Sequence, residues 1–579
     1  MRLRVTLVSA VLSVTLVALP GTPSSGAPTA APTRAHALGA TVAPVAGGAR
    51  AADPARHKAA KETLTIDASV GRHAISPMIY GINGSSGIPG IRKAFRVPID
   101  RWGGNSTSRY NYLNDTYNTG SDWYFENIVA SGDATLDSFV TTDQARGSRS
   151  IVTVPMTGWV AKNSPRDHPF TCSFPQTDFP NQDDYDPWDP NCGNGTRNNW
   201  STLLTAAPTT TSRTADETFV GNMVGSLVSS YGAADAGGVD FYALDNEPTL
   251  WNSTHRDVHP DPLDLDELWS KSHATAAAVK AADDSAAVLG PSDWGWCAYY
   301  YSAADNCGQS HADRDAHGGL PLGAWYLQQF ATAEQTGGTR LLDYFDEHFY
   351  PQEDGVALSA AGSPATQRLR LRSTRALWDP HYVDESWISD ANGNKPLQWI
   401  RTMRSWVDQY YPGTKTAITE YNWGGTESMN GALAQAEVLG IFGREGLDLA
   451  TLWQSSGMTA GQPWAYAFRM YRNYDGNRSQ FGNTSVRATS TARNQLSVFG
   501  ASRGSDGALT LMVINKTGAA ITAKLVLRHF SARAKAQVWR YSAAAPKDIV
   551  RRKAVTLTGS RATATYPASS ITLLVLPHR

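Results

Sequence analysis

The sequence has 579 residues, with 51 Lys and Arg against 52 Asp and Glu, a formal net charge of −1, and 41% apolar residues. That balance excludes the basic excess of a typical nucleic-acid binder, and a mean hydropathy of −0.34 excludes a chain built mainly of membrane spans. Only 18% of residues are charged, whereas Trp and Tyr number 18 and 23, which suits a protein that handles neutral, flat ligands.

In chain order, residues 1–26 read as a secretory signal peptide. Arg2 and Arg4 form a short basic region, Val5 to Leu19 is apolar, and Pro20 to Gly26 supplies breakers and small residues. The expectation is a secreted, extracellular protein. No later stretch is apolar and long enough to cross a bilayer, so no membrane partner is expected. Residues 27–61 are rich in Ala, Pro and Thr without an apolar period, the composition of a disordered linker.

From Glu62 the pattern alternates, and eight short apolar runs follow. They are "PMIYGIN", "PIDRWGGN", "SIVTVPMTGW", "VDFYALDNEP", "AAVLGPSDWGW", "LDYFDEHFYP", "KTAITEYNW" and "LDLATLWQ". Amphipathic segments such as "ADETFVGNMVGSLVSSYG" and "PLQWIRTMRSWVDQYY" lie between them. Strands alternating with helices predict a parallel sheet, and eight of them predict a (β/α)₈ barrel over residues 73–490. A doubly wound sheet is the alternative, but no Gly-rich phosphate fingerprint opens a helix after the first strand.

Beyond the barrel, residues 491–579 break into short strands separated by turn residues and predict an attached antiparallel β-sandwich. The isolated strand within residues 62–72 is expected to complete that sandwich, which reads as a packing module. Four cysteines fall into two local pairs, Cys172 with Cys192 and Cys297 with Cys307. In an oxidising compartment local disulfides are the simple pairing, and neither pair has the two-residue spacing of a zinc site.

Two predicted strands end in glutamates among aromatics: Glu247 in "LDNEP" and Glu420 in "ITEYNW". The C-terminal strand ends form the active face of such a barrel, and there the two ends face each other. Two carboxylates flanking one bond are what glycoside hydrolysis requires, one protonated and one ionised.

The stretches Arg101–Asn127, Phe241–Pro260 and Ala417–Gly425 resemble glycoside hydrolase family 44, secreted β-1,4-glucanases that act on cellulose and xyloglucan. The resemblance covers roughly Glu62 to the C-terminus. It implies a retaining mechanism, with Glu247 as general acid/base and Glu420 as nucleophile, and no cofactor for catalysis. It also implies a structural calcium held by oxygen ligands. Glu126 and Asp216 are the candidate ligands, with the acidic loop "NQDDYDPWDPNCGNG" as a second location.

Neighbours then acquire roles. Asn246 is placed to hydrogen-bond the sugar 2-hydroxyl, Arg101 to hold Glu420 ionised and Tyr350 to donate to Glu420. Trp102, Trp159, Trp294, Trp423 and Trp453 lie at or near strand ends as a candidate row of sugar platforms. His348 reads as a core histidine as readily as a site residue, and His255 and His259 as loop residues. The long loops between the second and fifth strands can wall an open groove, so cleavage within the polymer is expected. The expected partner is a β-glucan polysaccharide, acted on by a monomer. A different retaining barrel glycosidase such as a β-mannanase, or an inactive carbohydrate-binding protein, are the alternatives; the presence of both glutamates argues against the last.

Overall fold

The computed structural model describes residues 61–579, so the signal segment and nearly all of the linker lie outside the described residues. Eight parallel strands close on themselves in sequential order. They are β1 (Gly81–Asn83), β2 (Ile99–Trp102), β3 (Arg149–Val154), β4 (Phe241–Leu244), β5 (Ala287–Asp293), β6 (Tyr344–Glu347), β7 (Lys415–Tyr421) and β8 (Leu449–Leu452). β8 pairs back onto β1 and closes the barrel. Seven of the eight predicted apolar runs contain one of these strands whole, and the third misses only Arg149 at the start of β3.

Alternation along the strands sorts the residues into layers. Ile99, Ile151, Phe241, Ala243, Leu289, Tyr344, Ala417 and Leu449 point inward and fill the lower barrel as one apolar cluster. The next inward positions are polar: Arg101, Thr153, Asp346, Thr419 and Thr451 are all buried. Outward residues such as Tyr242, Leu244, Ile418 and Leu452 join the larger core under the helices. The predicted amphipathic segments form helices Glu217–Tyr231 and Trp399–Tyr410. The second buries Trp399, Ile400, Met403 and Val407, one face at helical spacing.

The sandwich strand Leu509–Asn515 is buried along its whole length. Leu509, Leu511 and Val513 face the sandwich core, whereas Met512 and Ile514 face the barrel helices. Ser570–Leu576 behaves the same way, which is why both strands read as continuous apolar runs rather than alternating ones. The stack of Tyr466 on Tyr541, centroids 4.7 Å apart, and the buried Lys516–Glu437 pair at 3.0 Å fasten this layer to the barrel.

Strand Glu62–Asp67 pairs antiparallel with Thr484–Ser490 and parallel with Ile521–Arg528. The sandwich is therefore not wholly antiparallel, and it begins at Thr484 rather than at residue 491. Thr484–Ser490 serves both layers, pairing with Leu496–Ser502 over its first half and with Glu62–Asp67 over its second. Cys172–Cys192 and Cys297–Cys307 are the disulfides, as the local spacing suggested.

Glu347 on β6 is fully buried, and neither of its carboxylate oxygens has a partner. Burial, then the charges of Asp293 and Asp346, push its carboxyl well above the usual range. A carboxyl that binds its proton more tightly folded than unfolded contributes full stability only below its unfolded value. That contribution is lost as pH rises above it, by at most about 1.4 kcal/mol per pH unit for one proton. Glu347→Gln removes this linkage. The melting temperature of the variant should gain on the wild type as pH is raised from about 5 to about 8. A difference that stays constant with pH would show that Glu347 does not titrate between the folded and unfolded states.

Candidate active site

Glu247 and Glu420 meet above the polar layer, but neither reaches it by regular strand geometry. Opposite β8, two residues of β7 (Thr419 and Glu420) face the single Thr451, because the register shifts between Ile418 and Tyr421. Thr419 points inward and donates to Asp346 at 2.6 Å, whereas Tyr421 points outward and accepts from Gln435. The bulge breaks the alternation and turns Glu420 up into the barrel mouth. A similar irregularity on β5 leaves Ser292 unpaired with β6, and its carbonyl accepts the Glu247 amide at 3.0 Å.

The segment after β4 is strained. Asp245 (φ 64°) and Glu247 (φ 48°) both adopt left-handed backbone, which costs non-glycine residues on the order of 1–3 kcal/mol each. Fully buried Asp245 holds the turn by accepting the amides of Asn246, at 2.7 Å, and Met156. The residues that follow the strand "YAL" are thus a buried clamp (Asp245), a polar contact (Asn246) and an acid raised into the cleft (Glu247).

Arg101 sits at the centre with 1% exposure. One terminal nitrogen donates to Asn83 Oδ1 at 3.0 Å and to Glu420 Oε1 at 2.7 Å, and the other donates to Asn246 Oδ1 at 2.7 Å. Tyr350 donates to the second Glu420 oxygen at 2.8 Å. Gly103 makes this fold-back feasible, since a Cβ there would lie 2.4 Å from Arg101 Cζ. Gly104 (φ 103°) packs against the Trp453 indole, which a Cβ would strike at 2.7 Å.

One donor atom each from Glu247, His348 and Glu420 lies within 4.8 Å of the others. His348 Nδ1 is 2.9 Å from Glu247 Oε1 and 3.6 Å from Glu420 Oε2. Burial pulls its pKa down to about 4, partly offset by the charge of Glu420, so the ring is neutral near pH 7. The trio has metal-binding donors, but the guanidinium of Arg101 already supplies the positive charge beside Glu420. Burial pushes Glu247 up to about 7, against the opposing pull of Arg101. Asp122 lies close by and is also pushed up to about 7, first by burial and then by the charges of Glu247 and Glu420; Asn105 donates to it at 3.1 Å. Asn105 in turn accepts from Asn246 Nδ2 at 2.9 Å.

The structure therefore brings together Glu247, Glu420, Asn246, Arg101 and Tyr350. It adds Asn83, Asn105 and Asp122, which sequence reasoning left outside the site, and His348, which sequence reasoning left open between core and site. Trp102, Trp159, Trp294 and Trp453 are half-buried and keep part of their surface accessible. Trp423 is a correction. It is 2% exposed, stacks on Phe349 and donates to Ser373, so it is core and offers no face to a ligand. Asp216 is another: it is exposed and caps helix Glu217–Tyr231 by accepting the Phe219 amide. Glu126 instead clusters with Asp186 and Asp189. Burial, then these two acids, push it up to about 9, and its Oε1 has no partner.

A family model described as glycoside hydrolase family 44 matches residues 116–353. Endoglucanase A of Paenibacillus lautus is 32% identical over 539 residues, spanning 89% of this chain and 72% of that protein. The solved structure of CelM2, a bifunctional glucanase-xylanase from a metagenome library, aligns with a TM-score of 0.84 and 42% identity, over 90% of this chain and 99% of that one. A Paenibacillus polymyxa xyloglucanase from glycoside hydrolase family 44 aligns with a TM-score of 0.74 and 30% identity, over 89% of this chain and 99% of that one.

The burial of Trp423 has a measurable consequence. Trp423→Ala should destabilise the fold by about 3–5 kcal/mol, the usual cost of emptying a buried indole site. At temperatures where the variant remains folded, its KM should match the wild type. A stable variant with a raised KM would return Trp423 to the ligand surface.

Proposed function

The chain belongs to glycoside hydrolase family 44 and is an endo-acting hydrolase of β-glucans; from that premise we propose that it cleaves β-1,4-glucosidic bonds with retention of anomeric configuration. One observation carries the retaining reading: an oxygen of Glu247 and an oxygen of Glu420 lie within 4.8 Å. Retaining glycosidases hold their carboxyls roughly 5–5.5 Å apart, whereas inverting ones need roughly 6.5–9.5 Å to admit a water.

Environment divides the roles. Glu247, held up at about 7, keeps its proton in weakly acidic solution and donates it to the leaving glycosidic oxygen. Neutral His348 touches it without adding a charge that would strip that proton. Glu420 accepts from Arg101 and Tyr350 on its two oxygens, which orients it to attack the anomeric carbon. A covalent glycosyl-enzyme forms, and Glu247, now the base, activates the water that releases the sugar. Asn246 has one amide proton left over after Asn105, free to meet the sugar 2-hydroxyl.

The half-buried indoles of Trp102, Trp159, Trp294 and Trp453 are the apolar faces assigned to pyranose rings. Similarity to a xyloglucanase of the same family supports xyloglucan as a substrate beside unbranched glucan. The two disulfides accord with an exported protein.

A structural calcium belongs to the same proposal. Glu126, Asp186 and Asp189 are all buried, offer hard oxygens and repel one another, so a divalent cation would offset both the burial and the repulsion that raise the Glu126 carboxyl. Cys192 lies within the same cluster, but its sulfur is committed to a disulfide. The loop that carries Asp186 and Asp189 is the acidic one read from the sequence.

Glu247→Ala should lose hydrolysis of natural glucan while keeping more activity on an aryl glucoside with a good leaving group, and azide should rescue it with a β-glycosyl azide as product. An α-azide from Glu247→Ala together with a β-azide from Glu420→Ala would reverse the roles. In the wild type, kcat/KM should fall as pH rises through about 7, because the acid must be protonated. A rate that is flat to well above that value would remove Glu247 as the acid. Chelation should lower the melting temperature and added calcium restore it, and Asp189→Asn should lose both responses. An unchanged melting temperature would dismiss the cation.

A further inference from the structure

The charge of this chain is divided unevenly. Between Ile521 and Arg579 there are eleven Lys and Arg and one acid, Asp548, although the whole chain has a net charge of −1. Ten of the eleven are exposed and Arg540 is half-buried. The ion pairs of the sandwich use Arg487, Arg493, Arg503, Lys516 and His529; among the described residues none involves any of the eleven. Uncompensated charge of this density repels itself and is not needed for solubility in a near-neutral protein.

Strand geometry gathers part of it on one face. The layer of Glu62–Asp67, Ile521–Arg528 and Arg561–Tyr566 lies away from the barrel. Its inward residues Leu64, Ile66, Leu525, Leu527 and Tyr566 fill the sandwich core. The alternate residues therefore point outward: Thr63, Thr65 and Asp67 on one strand, Thr522, Lys524, Val526 and Arg528 on the next, Arg561, Thr563 and Thr565 on the third. Register sets Lys524 beside Thr563 and Thr522 beside Thr565, the latter two hydrogen-bonded at 2.9 Å. Asp67 lies beside Arg528 in register, but its carboxylate is taken by His529 and Arg487. This yields a sheet face dominated by cations and hydroxyls, with neighbouring strands roughly 4.8 Å apart and same-face residues roughly 7 Å apart along each strand. Arg551, Arg552 and Lys553 lie exposed together on Ala545–Thr556 at the end of the barrel-facing layer.

We propose that this outer face of the sandwich binds a carboxylated polysaccharide, a polymer of uronic acids. Arginine forks match carboxylates, and threonine hydroxyls exchange hydrogen bonds with sugar hydroxyls. The face has no exposed aromatic on which a nucleic-acid base could stack, and Val526 is its only aliphatic side chain beyond the threonine methyls, too little to enter a membrane. An extended, unbranched anion fits a flat sheet face better than either. The inference does not depend on the catalytic reading, because the face belongs to the other domain.

Affinity electrophoresis of the full-length protein tests it, with polygalacturonate, its methyl-esterified form, duplex DNA and phosphatidylserine vesicles as separate probes. Polygalacturonate should retard the wild type at low salt, the esterified polymer should not, and about 0.5 M NaCl should abolish the effect by screening. The triple variant Lys524→Gln, Arg528→Gln, Arg561→Gln should bind roughly tenfold or more weakly, with hydrolysis of soluble glucan unchanged. The single Arg528→Glu serves if the triple variant fails to fold. Absence of retardation, equal binding by the variants, or equal or tighter binding of DNA or vesicles would overturn the proposal.

Discussion

The site depends on one buried cation. Arg101 is enclosed by the barrel, and a guanidinium so placed must find its counter-charge within the protein. Its two terminal nitrogens donate to Asn83 from β1, Asn246 after β4 and Glu420 from β7, while Nε has no protein partner. Three strand ends are thereby fixed relative to one another by a single planar fork. Asn83 is fixed in turn by the Thr419 carbonyl, which it reaches at 2.9 Å. The nucleophile candidate is held at a defined distance from the acid because both answer, directly or through Asn246, to the same side chain.

Around that fork the backbone departs from regular geometry where the chemistry requires it. A bulge aims Glu420, a second irregularity frees the Ser292 carbonyl for Glu247, and left-handed residues lift Glu247 into the cleft. Such strain persists only when the surroundings over-determine it. Here Asp245 supplies part of that determination, and the apolar plug lower in the barrel supplies a rigid base. The two glutamates then differ by environment alone: one is occupied by donors on both oxygens, while the other lies in a largely dry setting beside an uncharged imidazole.

The sandwich completes the structure in a different way. Its inner layer is apolar on both faces and joins the barrel core, so the two domains share a continuous interior. The outer layer has no such partner and carries a positive charge that the rest of the chain offsets at a distance. Strand Glu62–Asp67 ties the two ends of the described chain together, leaving the barrel inserted between them.

The sequence by itself determined the eight barrel strands, the sandwich, both disulfide pairs and the two glutamates. Apolar runs, local cysteine spacing and polar strand ends are all short-range signals, legible within about twenty residues. Arg101, Asn246 and Tyr350 were legible for the same reason, because each ends or follows a strand. Tertiary structure alone decided the rest. His348 and Asn83 join the site through partners far away in sequence, and Asp122 comes from a loop whose path no periodicity records. Trp423 looked like a platform because it follows Glu420, but the bulge at Thr419 and Glu420 lifts only the glutamate into the cleft, and the chain beyond it sends the indole onto Phe349 and Ser373 in the core. Asp216 carries the right atoms for a cation, yet it precedes a helix whose free amides claim them. A residue's type limits what it can do, but its partners decide which of those things it does, and partners are set by folding.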